Sequence, residues 1–308
     1  MVLTNRLKNW MLALLVNFMW AAQYPAYKVA SDSMTIAALN TYTFAIASVA
    51  ILPFVLMQRL QGGGSKIGLT ALGHFVILAI LGVVPPSIIQ SWGIQNSTAS
   101  NGAILSLAIP IMMTLMGILL LGERPRKTLY LSLTLALVGT ILISWRDVAG
   151  GAFTGPLLMG NIAILVGGIG SSFFNAYGKK VLRNCTGLET LLFTNLIVFI
   201  FSALLSCGID NQPFYSTTKA TPEAWLGVVV LGAFSWGLAM ALWMRLLKQL
   251  EVSQVAVTVY MLPVLGVLLA VVTLGESLAV SQCFGALIVL TSAYVSSSQP
   301  DSAEITQA

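Results

Sequence analysis

The chain is a succession of long apolar runs separated by short polar stretches. Ten runs can be marked, over residues 9–29, 35–57, 71–92, 97–121, 128–145, 157–179, 188–207, 224–246, 253–274 and 279–296. About 20 mostly apolar residues in a helix span the hydrocarbon layer of a bilayer. We therefore predict an all-α integral membrane protein with ten transmembrane helices.

The composition excludes the main soluble classes. Hydrophobic residues make up 57% of the 308 positions and charged residues only 8%, against about 25% charged in an ordinary soluble domain. The net charge of +5 comes from scattered lysines and arginines, so we expect no nucleic-acid partner. Cys185, Cys207 and Cys283 lie far apart and His74 is the single histidine, so neither a metal site, a cofactor nor a disulfide framework is expected.

The basic residues set the expected orientation, because cytoplasmic loops are enriched in lysine and arginine. With the N-terminus in the cytoplasm, the cytoplasmic set is Arg6, Lys8, Arg59, Lys66, Arg124, Arg126, Lys127, Lys179, Lys180, Arg183, Arg245 and Lys248. The opposite side holds Lys28, Arg146 and Lys219. Both termini are therefore expected in the cytoplasm, with residues 299–308 forming a disordered polar tail.

An internal repeat divides the chain. Leu-Gly-Glu ends the fourth run at Glu123 and the ninth at Glu276, an offset of 153 (276 minus 123). The same offset relates three further pairs: Pro110 and Pro263, Ser100 and Ser253, and Ala103 and Ala256. We predict two five-helix repeats, over 1–149 and 150–298. Because five is odd, the second repeat enters the membrane inverted, as in many secondary transporters.

These residues resemble a known family. Residues 96–105 read Asn-Ser-Thr-Ala-Ser-Asn-Gly-Ala-Ile-Leu and lead to Pro110 and Leu-Gly-Glu, while Ser253-Gln-Val-Ala leads to Pro263 and a second Leu-Gly-Glu. The first run adds Trp20, Tyr24, Pro25 and Lys28. This pattern is similar to that of the drug/metabolite transporter superfamily, in particular the bacterial EamA-type ten-helix permeases. The resemblance implies a basket of helices around a central cavity in the cell inner (plasma) membrane, with amino acids, other metabolites or drugs as cargo, usually exported.

Polar and aromatic side chains in the apolar runs are the candidates for substrate binding. Asn17, Trp20 and Tyr24 share one helical face, and Trp236, Met240 and Trp243 form a second stripe. The remaining candidates are Gln90, Asn101, Asn175 and Tyr260. For each, an interfacial belt or a helix-joining hydrogen bond is the alternative. A cavity lined in this way would suit a neutral, zwitterionic or flat organic molecule.

The positions of two prolines and of several charged residues lead to further structural expectations. Pro110 and Pro263 lie inside predicted helices, where they are candidate hinges or simply structural bends. Glu123 and Glu276 end one helix before another, so each is expected to face a helix N-terminus or, for Glu123, to pair with Arg124. Lys179 is expected to reach out to the interface. No acidic residue lies at mid-membrane, which leaves uniport, exchange and antiport open.

The predicted function is alternating-access transport of small organic solutes, with a lipid flippase or a channel-like protein as the alternative. An enzyme is not expected, because paired carboxylates or a histidine cluster are missing. The expected partners are the solute and the lipid bilayer, and helices five and ten, which are poor in polar residues, are candidates for pairing with a second copy.

Overall fold

The computed structural model describes residues 2–96, 105, 108–125, 127–143, 158–209, 220–262, 264–265 and 280–297, and every regular element among them is helical. The first half contains α1 (Val2–Ala21), α2 (Gln23–Ser31), α3 (Ile36–Leu60), α4 (Leu69–Ile77, Leu78–Val83, Pro85–Ile89 and Gln90–Gln95), α5 (Ile109–Leu121) and α6 (Lys127–Ile143). The second half contains α7 (Leu158–Val181), α8 (Gly187–Ile209), α9 (Pro222–Val229, Val230–Ala239 and Met240–Gln249), α10 (Val252–Val259) and α11 (Val280–Ser297).

Five of these helices are long and apolar enough to cross a membrane: Ile36–Leu60, Leu69–Gly93, Leu158–Val181, Gly187–Gly208 and Pro222–Gln249. Each of the ten predicted runs overlaps a helix, but the first run is two helices rather than one. The chain turns at Ala22 between α1 and α2. Pro25 has no N–H to donate to the carbonyl of Ala21, so an α-helical hydrogen bond is missing at this point.

The distribution of side chains is that of a protein solvated by lipid. Large apolar side chains such as Leu119 and Leu204 are exposed, at 74% and 68%, while Asn195 and Ser202 are completely buried. In water the opposite arrangement is the rule. The exposed apolar side chains therefore form the surface that faces the bilayer, and the polar ones join the helices.

Two helices contain stretches of π-helix, in which each turn is wider than in an α-helix. They lie at Leu78–Val83 and Pro85–Ile89 in α4 and at Val230–Ala239 in α9. In α4 the cause is visible in the sequence, because Pro85 and Pro86 cannot donate to the carbonyls four residues earlier. Wide turns of this kind are frequent at functional sites.

A buried asparagine from a neighbouring helix binds one π-helical stretch in each of α4 and α9. Asn40 of α3 donates its amide N–H to the carbonyl oxygen of Ser87 at 3.1 Å. Asn195 of α8 donates in the same way to the carbonyl oxygen of Trp236 at 3.4 Å. The widened segments are thus held by side chains as well as by their own backbone.

The helices pack in pairs that join the two halves. α3 lies against α8, α5 against α10, and α6 against α11, while α4 packs on α7 and α9 packs on α2. α6 and α11 are also joined by the Ser292 hydroxyl, which donates to the carbonyl of Ser132 at 2.6 Å. The described part of the chain is therefore one interlocked bundle rather than two separate lobes.

Glycine permits the closest helix contacts. A Cβ atom added to Gly232 in α9 would lie 2.7 Å from the carbonyl oxygen of Thr43 in α3, and one added to Gly167 in α7 would lie 2.3 Å from Cβ of Gln90 in α4. Such distances exclude any side chain. Gly167 and Gly232 therefore serve close packing between helices.

Candidate functional site

A pair of tryptophans lies inside the bundle where helices of both halves meet. The ring centroids of Trp20 in α1 and Trp243 in α9 are 4.7 Å apart, with the planes tilted by 56°. The indole N–H of Trp243 donates to Oδ1 of Asn175 in α7 at 2.6 Å. Trp243 and Asn175 are buried, whereas Trp20 keeps part of its surface exposed. Two of the predicted candidates, Trp20 and Asn175, are thus brought together by Trp243.

Asn17 joins this group from the preceding turn of α1. It has no exposed surface, and its amide nitrogen donates to the carbonyl of Ala13 at 2.8 Å and to the hydroxyl of Thr258 in α10 at 3.4 Å. We call Asn17, Trp20, Asn175, Trp243 and Thr258 the central aromatic site. It draws on four helices, α1, α7, α9 and α10, and its polar groups are all uncharged.

The second stripe of candidates continues from this site along α9. Met240 is buried beside Trp243 in the same hydrophobic core. Trp236 lies one turn further and contacts Phe44 of α3, with ring centroids 4.9 Å apart. Because Trp236 also lies in the wide turn, the aromatic stripe leads from the central aromatic site to the π-helical part of α9.

The other candidates lie elsewhere. Gln90 packs against Gly167 at the contact between α4 and α7. Tyr260 is buried in a separate core formed by α6, α10 and α11. The side chain of Tyr24, and Asn101 and Pro263 altogether, lie outside the described residues.

Pro110 is not in a helix interior. It occupies the first turn of α5, which begins at Ile109. A proline in the first turn costs no intrahelical hydrogen bond, since the N–H groups there have no partner within the helix. This position differs from the helix interior expected from the sequence, and the role of Pro110 as a hinge stays a prediction.

One end of the bundle is tied by Glu123, which follows α5. Its carboxylate accepts hydrogen bonds from the backbone N–H of Val252 at 2.8 Å and of Ser253 at 3.1 Å, and from the Ser253 hydroxyl at 2.9 Å. The ammonium group of Lys179 lies 3.6 Å away and also donates to the carbonyl of Leu250. We call Glu123, Lys179, Val252 and Ser253 the clamp.

The contacts of the clamp test the expectations for Glu123 and Lys179. Glu123 faces a helix N-terminus, as predicted, where a carboxylate is favoured by the unpaired N–H groups of the first turn. Its cationic neighbour is Lys179 rather than Arg124. Lys179 therefore turns inward to the carboxylate, and the expectation that it reaches out to the membrane interface was wrong.

A second buried carboxylate lies at the same end and was not singled out in the sequence. Glu189 at the start of α8 is completely buried and accepts from Nε of Arg59 at 2.8 Å, from the N–H of Ser65 at 2.9 Å and from the hydroxyl of Thr186 at 2.9 Å. These contacts hold the end of α3 and the following loop against α8. Arg59 and Glu189 are 130 positions apart, so no local pattern links them.

The central aromatic site offers shape and weak polarity rather than reactive groups. His74, the single histidine, lies in α4, where its Nδ1 is 2.7 Å from the hydroxyl of Tyr177. Over the described ranges, no three His, Cys, Asp or Glu side chains are grouped so that they could hold a metal ion. The arrangement combines aromatic faces with neutral hydrogen-bonding groups.

The chain is similar to known proteins in sequence and in fold. The sequence model described as the EamA-like transporter family matches residues 8–145 and again residues 158–298. A solved crystal structure superposes with a TM-score of 0.79 at 19% sequence identity, covering 94% of this chain and 98% of the other. That likeness concerns the fold.

Curated relatives of similar length also match. An uncharacterised transporter of Archaeoglobus fulgidus is 23% identical over 294 residues, covering 95% of this chain and 98% of the relative. A probable terminal-alkyne amino-acid exporter of Streptantibioticus cattleyicolor is 25% identical, covering 87% and 85% of the two chains. A probable amino-acid metabolite efflux pump of Salmonella typhimurium is 23% identical, covering 94% of each.

Proposed function

Because the chain belongs to the EamA-like transporter family, we propose that it exports small organic solutes, amino acids or related metabolites, across the cell inner (plasma) membrane. Two of the relatives are named as an amino-acid exporter and an efflux pump, which supports the direction and the class of cargo. The solute would leave chemically unchanged.

The proposed architecture is ten membrane crossings in two inverted five-helix halves, with both termini in the cytoplasm. The family model matches once in each half. The wide turns support the same division, since Val230 in α9 lies 152 positions after Leu78 in α4 (230 minus 78), close to the 153-residue offset of the repeated motifs. The contacts of α3 with α8, α5 with α10 and α6 with α11 would then join equivalent helices of the two halves.

Alternating access is the mechanism that this architecture favours. The clamp ties α5 of one half to the start of α10 in the other, so it must break when that end of the bundle opens. The two wide turns lie in the helices that would have to bend. In this account the central aromatic site, at the meeting point of the halves, holds the solute between the two open states.

The observation that carries the proposal is the contact among Trp20, Trp243 and Asn175, which three separate helices build inside the bundle. Indole faces favour flat or apolar groups, and the amides beside them offer hydrogen bonds without carrying a net charge. No buried charge would have to be neutralised by the solute. Amino acids and amphipathic metabolites satisfy these conditions.

The proposal is tested with the full-length protein in two steps. Detergent-solubilised protein is first screened for thermal stabilisation by amino acids, nucleosides, polyamines and dyes, because a bound ligand raises apparent stability. Flux of the stabilising solutes is then measured in liposomes. We expect saturable flux that falls at least tenfold in Trp20→Ala, and unaltered flux in Trp92→Ala, a tryptophan on the exposed part of α4. Equal flux in the two variants would remove the central aromatic site from the transport path.

A further inference from the structure

One polar atom of the central aromatic site is left without a partner. The side-chain oxygen Oδ1 of Asn17 accepts no hydrogen bond from any residue that the structure describes, although Asn17 has no exposed surface. A buried acceptor without a donor is costly, so a donor from outside the chain, such as a ligand or a water, is favoured at this position. Its neighbour one turn along α1 is Trp20.

The hydrogen bonds around Asn17 establish which end of its amide is the oxygen. The Thr258 hydroxyl donates its proton to the carbonyl of Val255 at 2.8 Å, so toward Asn17 it can only accept. The carbonyl of Ala13 likewise only accepts. Both contacts therefore require the amide nitrogen, and the free atom is the oxygen.

The second amide of the site has its acceptor already occupied. Asn175 gives its amide N–H to the carbonyl of Ser171 at 2.7 Å, and its oxygen is taken by the indole N–H of Trp243. Lys179, one turn from Asn175 along α7, is bound to Glu123 and to the Leu250 carbonyl. The oxygen of Asn17 is thus the vacant acceptor of the site, and it requires a donor.

The aromatic rings of the site also favour a positively charged hydrogen-bond donor. The face of an indole carries negative charge density and attracts cations. Trp20 is only partly buried, and it lies three positions after Asn17 on the same helical face. An ammonium group between them would meet an oxygen acceptor and a ring face together.

We propose that Asn17 Oδ1 and the ring of Trp20 bind the protonated amino group of the solute, so that primary amines with an apolar or aromatic body are the recognised class. The inference rests on the proposed transport function and deepens it. Amino acids belong to the class through their amino group. Their carboxylate is not what the site recognises.

Three probes of nearly equal size test the proposal: phenethylamine, 2-phenylethanol and 3-phenylpropionate, titrated against the purified full-length protein with thermal stability as the readout. We expect saturable stabilisation by phenethylamine with an apparent affinity at least tenfold above that of the alcohol and the acid. Equal affinity for amine and alcohol, preference for the acid, or no response to any of the three would overturn the proposal.

Two substitutions shift the preference in opposite directions. Asn17→Leu removes the acceptor and should lower the affinity for phenethylamine at least tenfold while leaving that for 2-phenylethanol within twofold. Asn17→Asp adds a negative charge and should raise the ratio of amine to alcohol affinity above the wild-type value. If Asn17→Leu does not fold, the Asp variant alone decides, and an unchanged ratio there contradicts the proposal.

The matched control is Asn195→Leu. Asn195 is also completely buried with an unpartnered Oδ1, but it lies in α8 at the wide turn of α9 and not beside Trp20. Its substitution should leave the amine preference unaltered. Flux in liposomes separates this inference from the proposed function. If solutes are transported without a preference for amines, only the recognition of the amino group is contradicted. If no stabilising solute is transported, transport itself is contradicted.

Discussion

The clamp between α5 and α10 makes a quantitative prediction about how the bundle opens. Glu123→Ala removes three hydrogen bonds to a buried carboxylate, those from the N–H groups of Val252 and Ser253 and from the Ser253 hydroxyl. It also removes the carboxylate that pairs with Lys179. No other side chain in the described ranges is hydrogen-bonded to the N–H groups of Val252 and Ser253.

The magnitude follows from these contacts. A hydrogen bond to a charged group contributes about 1.5–3 kcal/mol. When this end of the bundle opens, the freed groups bind water and the partly exposed Lys179 becomes hydrated, so much of that free energy is recovered. We therefore expect the closed arrangement to lose about 2–4 kcal/mol relative to the open one. Each 1.4 kcal/mol is a factor of ten, so the open population rises roughly 30- to 700-fold.

The assay is the labelling rate of a reporter cysteine at Val255, which is fully buried in α10 one turn from the clamp. The three natural cysteines are replaced by serine. When opening and closing are fast relative to labelling, the rate is proportional to the open population. Glu123→Ala should therefore speed maleimide labelling by at least tenfold in the purified protein.

Glu251→Ala supplies the matched control. Glu251 caps the same helix locally, in a reciprocal capping box with Gln254. Its loss should weaken α10 by about 1 kcal/mol and alter the labelling rate only slightly. Labelling of the Glu123 variant no faster than that of the Glu251 variant would show that the clamp does not control access.

Three further predictions concern packing and reactivity. Trp243→Phe leaves the buried oxygen of Asn175 unpaired, so thermal unfolding should show a loss of about 1–3 kcal/mol. Gly232→Ala should cost about 1–3 kcal/mol through its clash with α3, whereas Gly208→Ala, which meets no atom within 4 Å, should cost none. Burial and the nearby Glu189 carboxylate raise the pKa of the Cys185 thiol. In a variant whose other two cysteines are replaced, maleimide labelling of Cys185 at pH 7 should therefore be slower than that of free cysteine, and the rate should increase as the pH rises.

The coarse fold was readable from the sequence because lipid imposes a simple requirement. Each spanning segment must be apolar and must satisfy its own backbone, so length and hydropathy identify helices directly. The wide turns were not anticipated in this way. The two prolines of α4 were a local signal, but Val230–Ala239 contains none, and its geometry accompanies the contact of Gly232 with the α3 backbone.

Only part of the central aromatic site was predictable, because helical periodicity relates neighbours in the sequence and not residues of distant helices. Helical periodicity placed Asn17 and Trp20 on one face and Trp243 on another, because periodicity is local. It could not show that Trp243 binds Asn175, 68 positions away, or that Tyr260 belongs to a core with α6 and α11. The inward turn of Lys179 likewise depends on Glu123, which is distant in sequence and was expected to pair with its neighbour.

The most direct test of the account is solute counterflow through the central aromatic site. Liposomes containing the protein are loaded with the solute that stabilises it best and diluted into a trace of the labelled solute. We predict a transient, saturable accumulation of label that is lost in Trp243→Ala and retained in Trp225→Ala, a tryptophan of the same helix that packs on Tyr42 instead. Accumulation that survives Trp243→Ala, or movement of label that never saturates, would contradict a carrier built around this site.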